Sequence, residues 1–182
     1  MASQIEPYCQ GDLDGLCGLY AIINALCALC PEIDEELATT LFRHLARHME
    51  GRLKEPMPVI AYGIGATSLR LLLKRALRFT SKNLGVEIET TEFAMARRNH
   101  DLRKLWRHLS KELEGGQVAI IMLRGASHHW TVACSATETT LRLIDSYDRK
   151  VLVRSRCTIS DTHSRFQLSP SEMIFLRRVS DW

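Results

Sequence analysis

The chain has 182 residues, enough for one domain to bury a core without disulfide or metal staples. Its 46% hydrophobic and 25% charged composition is ordinary for a soluble globular protein. A formal net charge of +3 is too small to make the chain a nucleic-acid binder by itself. No apolar run reaches the roughly 18–20 residues that a membrane span needs.

The first residues, MASQIEPYCQGD, have no basic start followed by an apolar run, so no secretory signal is read there. The six cysteines, at 9, 17, 27, 30, 134 and 157, have no framework spacing and fit thiols in a reducing, cytoplasmic setting. There is no repeat, low-complexity tract or Pro/Gly/Ser-rich linker. The chain therefore reads as a single domain over 1–182, helical over about 1–115 and sheet-forming over about 116–182.

Residues 16–30, LCGLYAIINALCALC, are apolar almost all round and predict a buried central helix. Asp14 and Gly15 suit its start, and Pro31 follows its end. Leu37, Leu41, Leu45 and Met49 recur every fourth residue and predict a helix from about Asp34 to Met49. The prolines and glycines between Lys54 and Gly65 predict a loop or a short strand with turns. A third helix is expected over Thr67–Lys82, with Leu69, Leu72, Leu73, Ala76 and Leu77 on its apolar side. Val86–Thr90 alternates like a short strand, and a fourth helix spans about Asn99–Leu113, closed by Gly115 and Gly116. Beyond it, Val118–Leu123, His129–Ser135, Thr140–Asp145, Lys150–Val153 and Met173–Val179 read as the strands of an antiparallel sheet. Helices first and strands second make an α+β chain.

A thiol hydrolase needs a thiolate, a histidine to take and return its proton, a group orienting that histidine, and donors for the oxyanion. Cys17 sits at the start of the first helix, where backbone N–H groups and the helix dipole favour a thiolate. Gly15 and Gly18 flank it and leave room for a substrate carbonyl. Gln10 lies upstream, with an amide able to donate to an oxyanion alongside the Cys17 N–H. His129 opens the strand His-Trp-Thr-Val, and Asp145 ends the strand Leu-Arg-Leu-Ile. A hairpin turning near Glu138 brings these two residues nearly opposite one another, with Trp130 placed to shield their hydrogen bond. His128 is the rival base. Asp145 also reads as a turn residue in Asp-Ser-Tyr-Asp, with Asp148 as the fallback orienting carboxylate.

The order Gln10…Cys17-Gly18…His129-Trp130…Asp145 resembles the papain-like cysteine peptidases. The compact branches are most similar, such as the bacteriocin-processing C39-type peptidases and the Josephin deubiquitinases. The resemblance covers roughly residues 8–30 and 117–148 and leaves the helical middle unmatched. Gln10 stands slightly further from the cysteine than is usual, and Asp145 matches the aspartate-using branches. What the resemblance implies is a thiol protease whose Cys17 lies on a helical lobe and whose His129 and Asp145 lie on a sheet lobe. A protein or peptide substrate would occupy the cleft between them, with no metal or organic cofactor.

Cys27 and Cys30 form a C-x-x-C without the second pair that a zinc site needs, and they read as core. Cys9 reads as incidental. Gly63-Ile64-Gly65 lacks the remainder of a dinucleotide fingerprint. Basic residues gather at Arg70, Lys74, Arg75, Arg78 and Lys82, then at Arg97, Arg98, Arg103, Lys104, Arg107 and Lys111. These read as solvated faces, with an acidic partner protein or, less favoured, nucleic acid as the alternative they could dock. The same thioester chemistry would serve an acyltransferase, transglutaminase or glutamine deamidase. A papain-like frame with an inert thiol would be a binding module.

Overall fold

The apolar spacings of the first half become helices in the computed structural model, which describes residues 6–11, 15–50, 63–93, 101–160 and 165–179. They are α1 (Cys17–Leu29), α2 (Glu35–Glu50), α3 (Ala66–Leu84) and α4 (Leu102–Glu114). Local capping chemistry sets several of their ends. Asp34 Oδ1 accepts from the Leu37 N–H at the start of α2, and Asp101 Oδ1 does the same for Arg103 at the start of α4. Gly85 closes α3 in the left-handed conformation. Of the expected loop over Lys54–Gly65, only 63–65 fall within the described residues, and they carry no regular structure. Among the described residues no helix is long and apolar enough to cross a membrane.

The strands are β1 (Ile88–Glu92), β2 (Val118–Gly125), β3 (His129–Ala136), β4 (Thr140–Ile144), β5 (Val151–Val153), β6 (Cys157–Thr158) and β7 (Phe166–Arg178). They form one sheet in the order β1-β7-β2-β3-β4-β5. Pairing is antiparallel throughout, except that β6 runs parallel beside β7. The chain is thus α+β, as its texture predicts. β7 starts at Phe166 rather than at Met173. Its first part holds Ser169, Pro170 and Ser171, which look like turn chemistry. Leu168 pairs with Leu123 and Met173 with Ile121, so these residues lie in a bulge, where a sheet tolerates proline.

Alternation along the strands sorts the core onto two faces. Val118, Ile120, Trp130, Val132, Ile144, Ile174 and Leu176 pack under α1, α2 and α3. Ala119, Ile121, Leu123, Ala133, Leu141, Leu143 and Phe175 pack against α4. The basic runs on α3 and α4 therefore lie on opposite sides of the sheet, not on one surface. Arg70 is moreover paired with Glu92, while Arg97 and Arg98 lie outside the described residues. At its outer strands the sheet is short or charged: β5 is three residues long, and on β1 Glu89 pairs with Arg177 and Glu92 with Arg70.

α1 carries Cys17 as its first residue and lies on β3 and β2, with Leu19, Ile22, Ala25 and Leu26 fully buried. Its buried Asn24 does not face solvent; it grips the N-terminal segment. Asn24 Oδ1 accepts from the Tyr8 N–H at 2.8 Å, and its Nδ2 donates to the Tyr8 carbonyl at 3.1 Å. On the other side of α1, Gly18 faces Ile64, so the room this glycine makes is taken by protein and not left for substrate. A Cβ at position 18 would lie 2.6 Å from both Cγ1 and Cδ1 of Ile64. The Ile64 carbonyl accepts from the Trp130 indole at 2.8 Å. Gly63 beside it has φ +78°, and a Cβ there would come within 3.0 Å of the Gly15 carbonyl oxygen.

Overpacking of this kind typically costs about 1–3 kcal/mol. We therefore expect Gly18→Ala to lower the unfolding free energy by about that amount in urea titrations. In an Ile64→Ala background the same substitution should cost far less, since the clashing atoms are gone. An equal cost in both backgrounds would place the strain elsewhere.

Candidate active site

Cys17 opens α1, so its N–H belongs to the first turn, whose amides have no acceptor within the helix. The residue is 6% exposed, and its Sγ has the Gly15 carbonyl at 3.9 Å. No acidic side chain occupies the first turn of the helix to oppose a thiolate there.

His129 starts β3 and is 3% exposed; Asp145 follows β4 and is 1% exposed. The hairpin turns at residues 137–139, where the Thr137 N–H donates to the Thr140 carbonyl. An extra residue, Cys134, bulges between the Ala133–Leu143 and Ser135–Arg142 pairs. That bulge sets Val132 opposite Ile144, so His129 and Asp145 both lie just beyond the paired end of the ladder. There His129 Nε2 and Asp145 Oδ2 hydrogen-bond at 2.9 Å. The other ring nitrogen, Nδ1, is buried and has no hydrogen-bond partner among the described residues.

Electrostatics follow from this packing. Burial works against a charged imidazole, but the hydrogen bond to Asp145 and the neighbouring Cys17 sulfur outweigh it and raise His129 to about 9. Burial likewise opposes the Asp145 carboxylate, and the hydrogen bond from His129 holds its pKa below the ordinary value. The pair thus favours an imidazolium beside a carboxylate. Burial pushes the Cys27 thiol up to about 11 and Cys157 to about 12, and raises Cys30 and Cys134. Cys30 and Cys157 are core thiols, and Cys27 and Cys134 are half-buried against the core. Cys9 is exposed.

The two readings of Asp145 turn out to be compatible. While Oδ2 holds His129, Oδ1 accepts from the Tyr147 N–H at 2.8 Å, and the Asp148 N–H donates to the Asp145 carbonyl. One carboxylate therefore both caps the turn and orients the ring. His128 and Asp148 are exposed, and Asp148 pairs with Lys150. Gln10 is 8% exposed and is held at both ends of its amide. Oε1 accepts from Ser146 Oγ at 3.1 Å, and Nε2 donates to the Tyr147 hydroxyl at 2.8 Å. Its backbone N–H donates to the Ser146 carbonyl.

The aromatic ring on His129 is that of Tyr147, with centroids 4.6 Å apart and planes at 33°. Trp130, expected in that role, turns its indole to Ile64 instead. Asn24, Ser146 and Tyr147 position the site without having been singled out from sequence. A polar Asn inside an otherwise apolar helix and the turn-like string Asp-Ser-Tyr-Asp are the local signals that could have pointed to them. The chain matches no family model, no curated protein and no solved structure, so the site's own geometry carries the functional reading.

Because His129 is raised on folding, its favourable contribution is complete below its ordinary value of 6.5 and is lost as pH rises through about 9. We expect the stability gap between wild type and His129→Gln, from urea unfolding, to narrow across that window. A gap that stays constant from pH 6 to 10 would show that no such imidazolium is stabilised.

Proposed function

We propose that this chain is a papain-like cysteine hydrolase that cleaves a peptide or isopeptide bond through a Cys17 thioester. The observation that carries the reading is the one-sided bonding of a buried histidine. His129 Nε2 is committed to a buried carboxylate, whereas Nδ1 is left unpartnered and Cys17 acts on the same ring. Buried ring nitrogens are ordinarily hydrogen-bonded, so an open one on a ring next to a thiol leaves a place for the thiol's proton.

In this reading Cys17 and His129 rest as a thiolate–imidazolium pair, the thiol's proton held on Nδ1, and the thiolate attacks the substrate carbonyl carbon. The Cys17 N–H and the Gln10 amide stabilise the resulting oxyanion. Collapse breaks the C–N bond, and the departing amine takes the proton from His129. Water, deprotonated by the same nitrogen, then attacks the thioester and releases the acid and the free thiol. Asp145 fixes which ring nitrogen carries the permanent proton and stabilises the imidazolium. The residues that act need no added cofactor for these steps. Ammonia release or amine incorporation without cleavage would assign the same thioester to a deamidase or a transglutaminase.

The deciding experiment is iodoacetamide labelling of the native protein from pH 4 to 9, read by peptide mass spectrometry. Cys17 should be carboxamidomethylated well below the roughly 8.5 of a free thiol, ahead of the exposed Cys9. His129→Ala should remove that low-pH reactivity and slow turnover of any substrate by about 10²–10⁴-fold. If Cys17 reacts no faster than Cys9, the chain is not a thiol hydrolase.

A further inference from the structure

We infer that Tyr147 is a positioning residue for this site, and the inference rests on the hydrolase reading above. Tyr147 touches three members of the candidate machinery, His129, Asp145 and Gln10. Its ring lies on the His129 imidazole at 4.6 Å between centroids. Its N–H donates to Asp145 Oδ1, and its hydroxyl accepts from Gln10 Nε2, both at 2.8 Å. It is nonetheless 51% exposed, whereas the groups it contacts are buried.

A half-exposed tyrosine gains little from burial, so its placement is better explained by what its two ends hold. The ring covers the imidazole and keeps water from the His129–Asp145 hydrogen bond, whose strength depends on a low local dielectric. The hydroxyl works with Ser146. Ser146 Oγ donates to Gln10 Oε1 and Tyr147 Oη accepts from Gln10 Nε2, so the amide's two ends are distinguished and its plane is fixed. Oxyanion stabilisation relies on donors set in place before charge develops. Tyr147 therefore couples the donor side of the site to the base side through one residue of the 145–148 turn.

Two reactions of Cys17 separate these roles. Alkylation by iodoacetamide forms no oxyanion and reports on the Cys17–His129 pair. Acylation by 4-nitrophenyl acetate passes through a tetrahedral oxyanion before thiolate replaces 4-nitrophenolate at the acetyl carbon. Tyr147→Phe keeps the ring and removes only the hydroxyl. It should acylate about tenfold more slowly while its alkylation still follows the wild-type pH profile. That loss is smaller than the ~10²–10³-fold cost of removing an oxyanion donor outright. Gln10→Ala/Tyr147→Phe should acylate no more slowly than Gln10→Ala alone, because the hydroxyl acts through that amide. Tyr147→Ala should in addition shift the alkylation profile, and near-UV circular dichroism would verify that each variant is folded.

Wild-type acylation rates in Tyr147→Phe, or losses that multiply fully in the double variant, would overturn the role of Tyr147 and leave the triad standing. Wild-type protein whose Cys17 neither alkylates selectively nor acylates would overturn the hydrolase reading, and the role of Tyr147 with it.

Discussion

Ile64 holds the two halves of the candidate site against each other. Its side chain fills the space left by Gly18, the residue after Cys17, and its carbonyl accepts from Trp130, the residue after His129. The immediate neighbours of the thiol and the imidazole thus meet on one short segment ahead of α3. Neither side can shift without breaking a close contact or leaving a buried indole N–H unpaired, which costs on the order of 1–3 kcal/mol. Close packing makes such a seam stiff, so the separation of thiol and ring is fixed by groups that do no chemistry.

The rest of the arrangement hangs from the turn after β4. Asp145, Ser146 and Tyr147 are consecutive, and each holds a different part of the site: the imidazole, the amide oxygen of Gln10 and the amide nitrogen of Gln10. Asn24 closes the circuit by fastening Tyr8 to α1, so the segment leading to Gln10 is pinned between that helix and the turn. A short backbone segment with several internal hydrogen bonds has few alternative conformations. That makes a loop suitable for holding groups to fractions of an ångström.

Much of this was legible in the sequence because it rests on periodicity. The four-residue recurrence of leucines in α2 and the β-branched runs of β2 and β3 give their elements almost to the residue. The order of Gln10, Cys17, His129 and Asp145 names the members that the fold gathers. What escaped depends on contacts between distant segments. Pro170 and its flanking serines look like a turn until the bulge opposite β2 is seen. Gly63-Ile64-Gly65 has no local signature as a brace. Trp130 and Tyr147 exchange expected roles because alternation along β3 sends consecutive side chains to opposite faces. Arg70 belongs by spacing to a basic face, yet Glu92, on a different element, takes its charge.

The two ends of the sheet carry a further consequence. β1 exposes glutamates already neutralised by arginines, and β5 stops after three residues at a turn of 3₁₀ helix. Charged side chains make β1 a poor template for a further strand, and one approaching β5 would find room for few ladder hydrogen bonds. Among the described residues the sheet thus ends in strands that offer little to an added one.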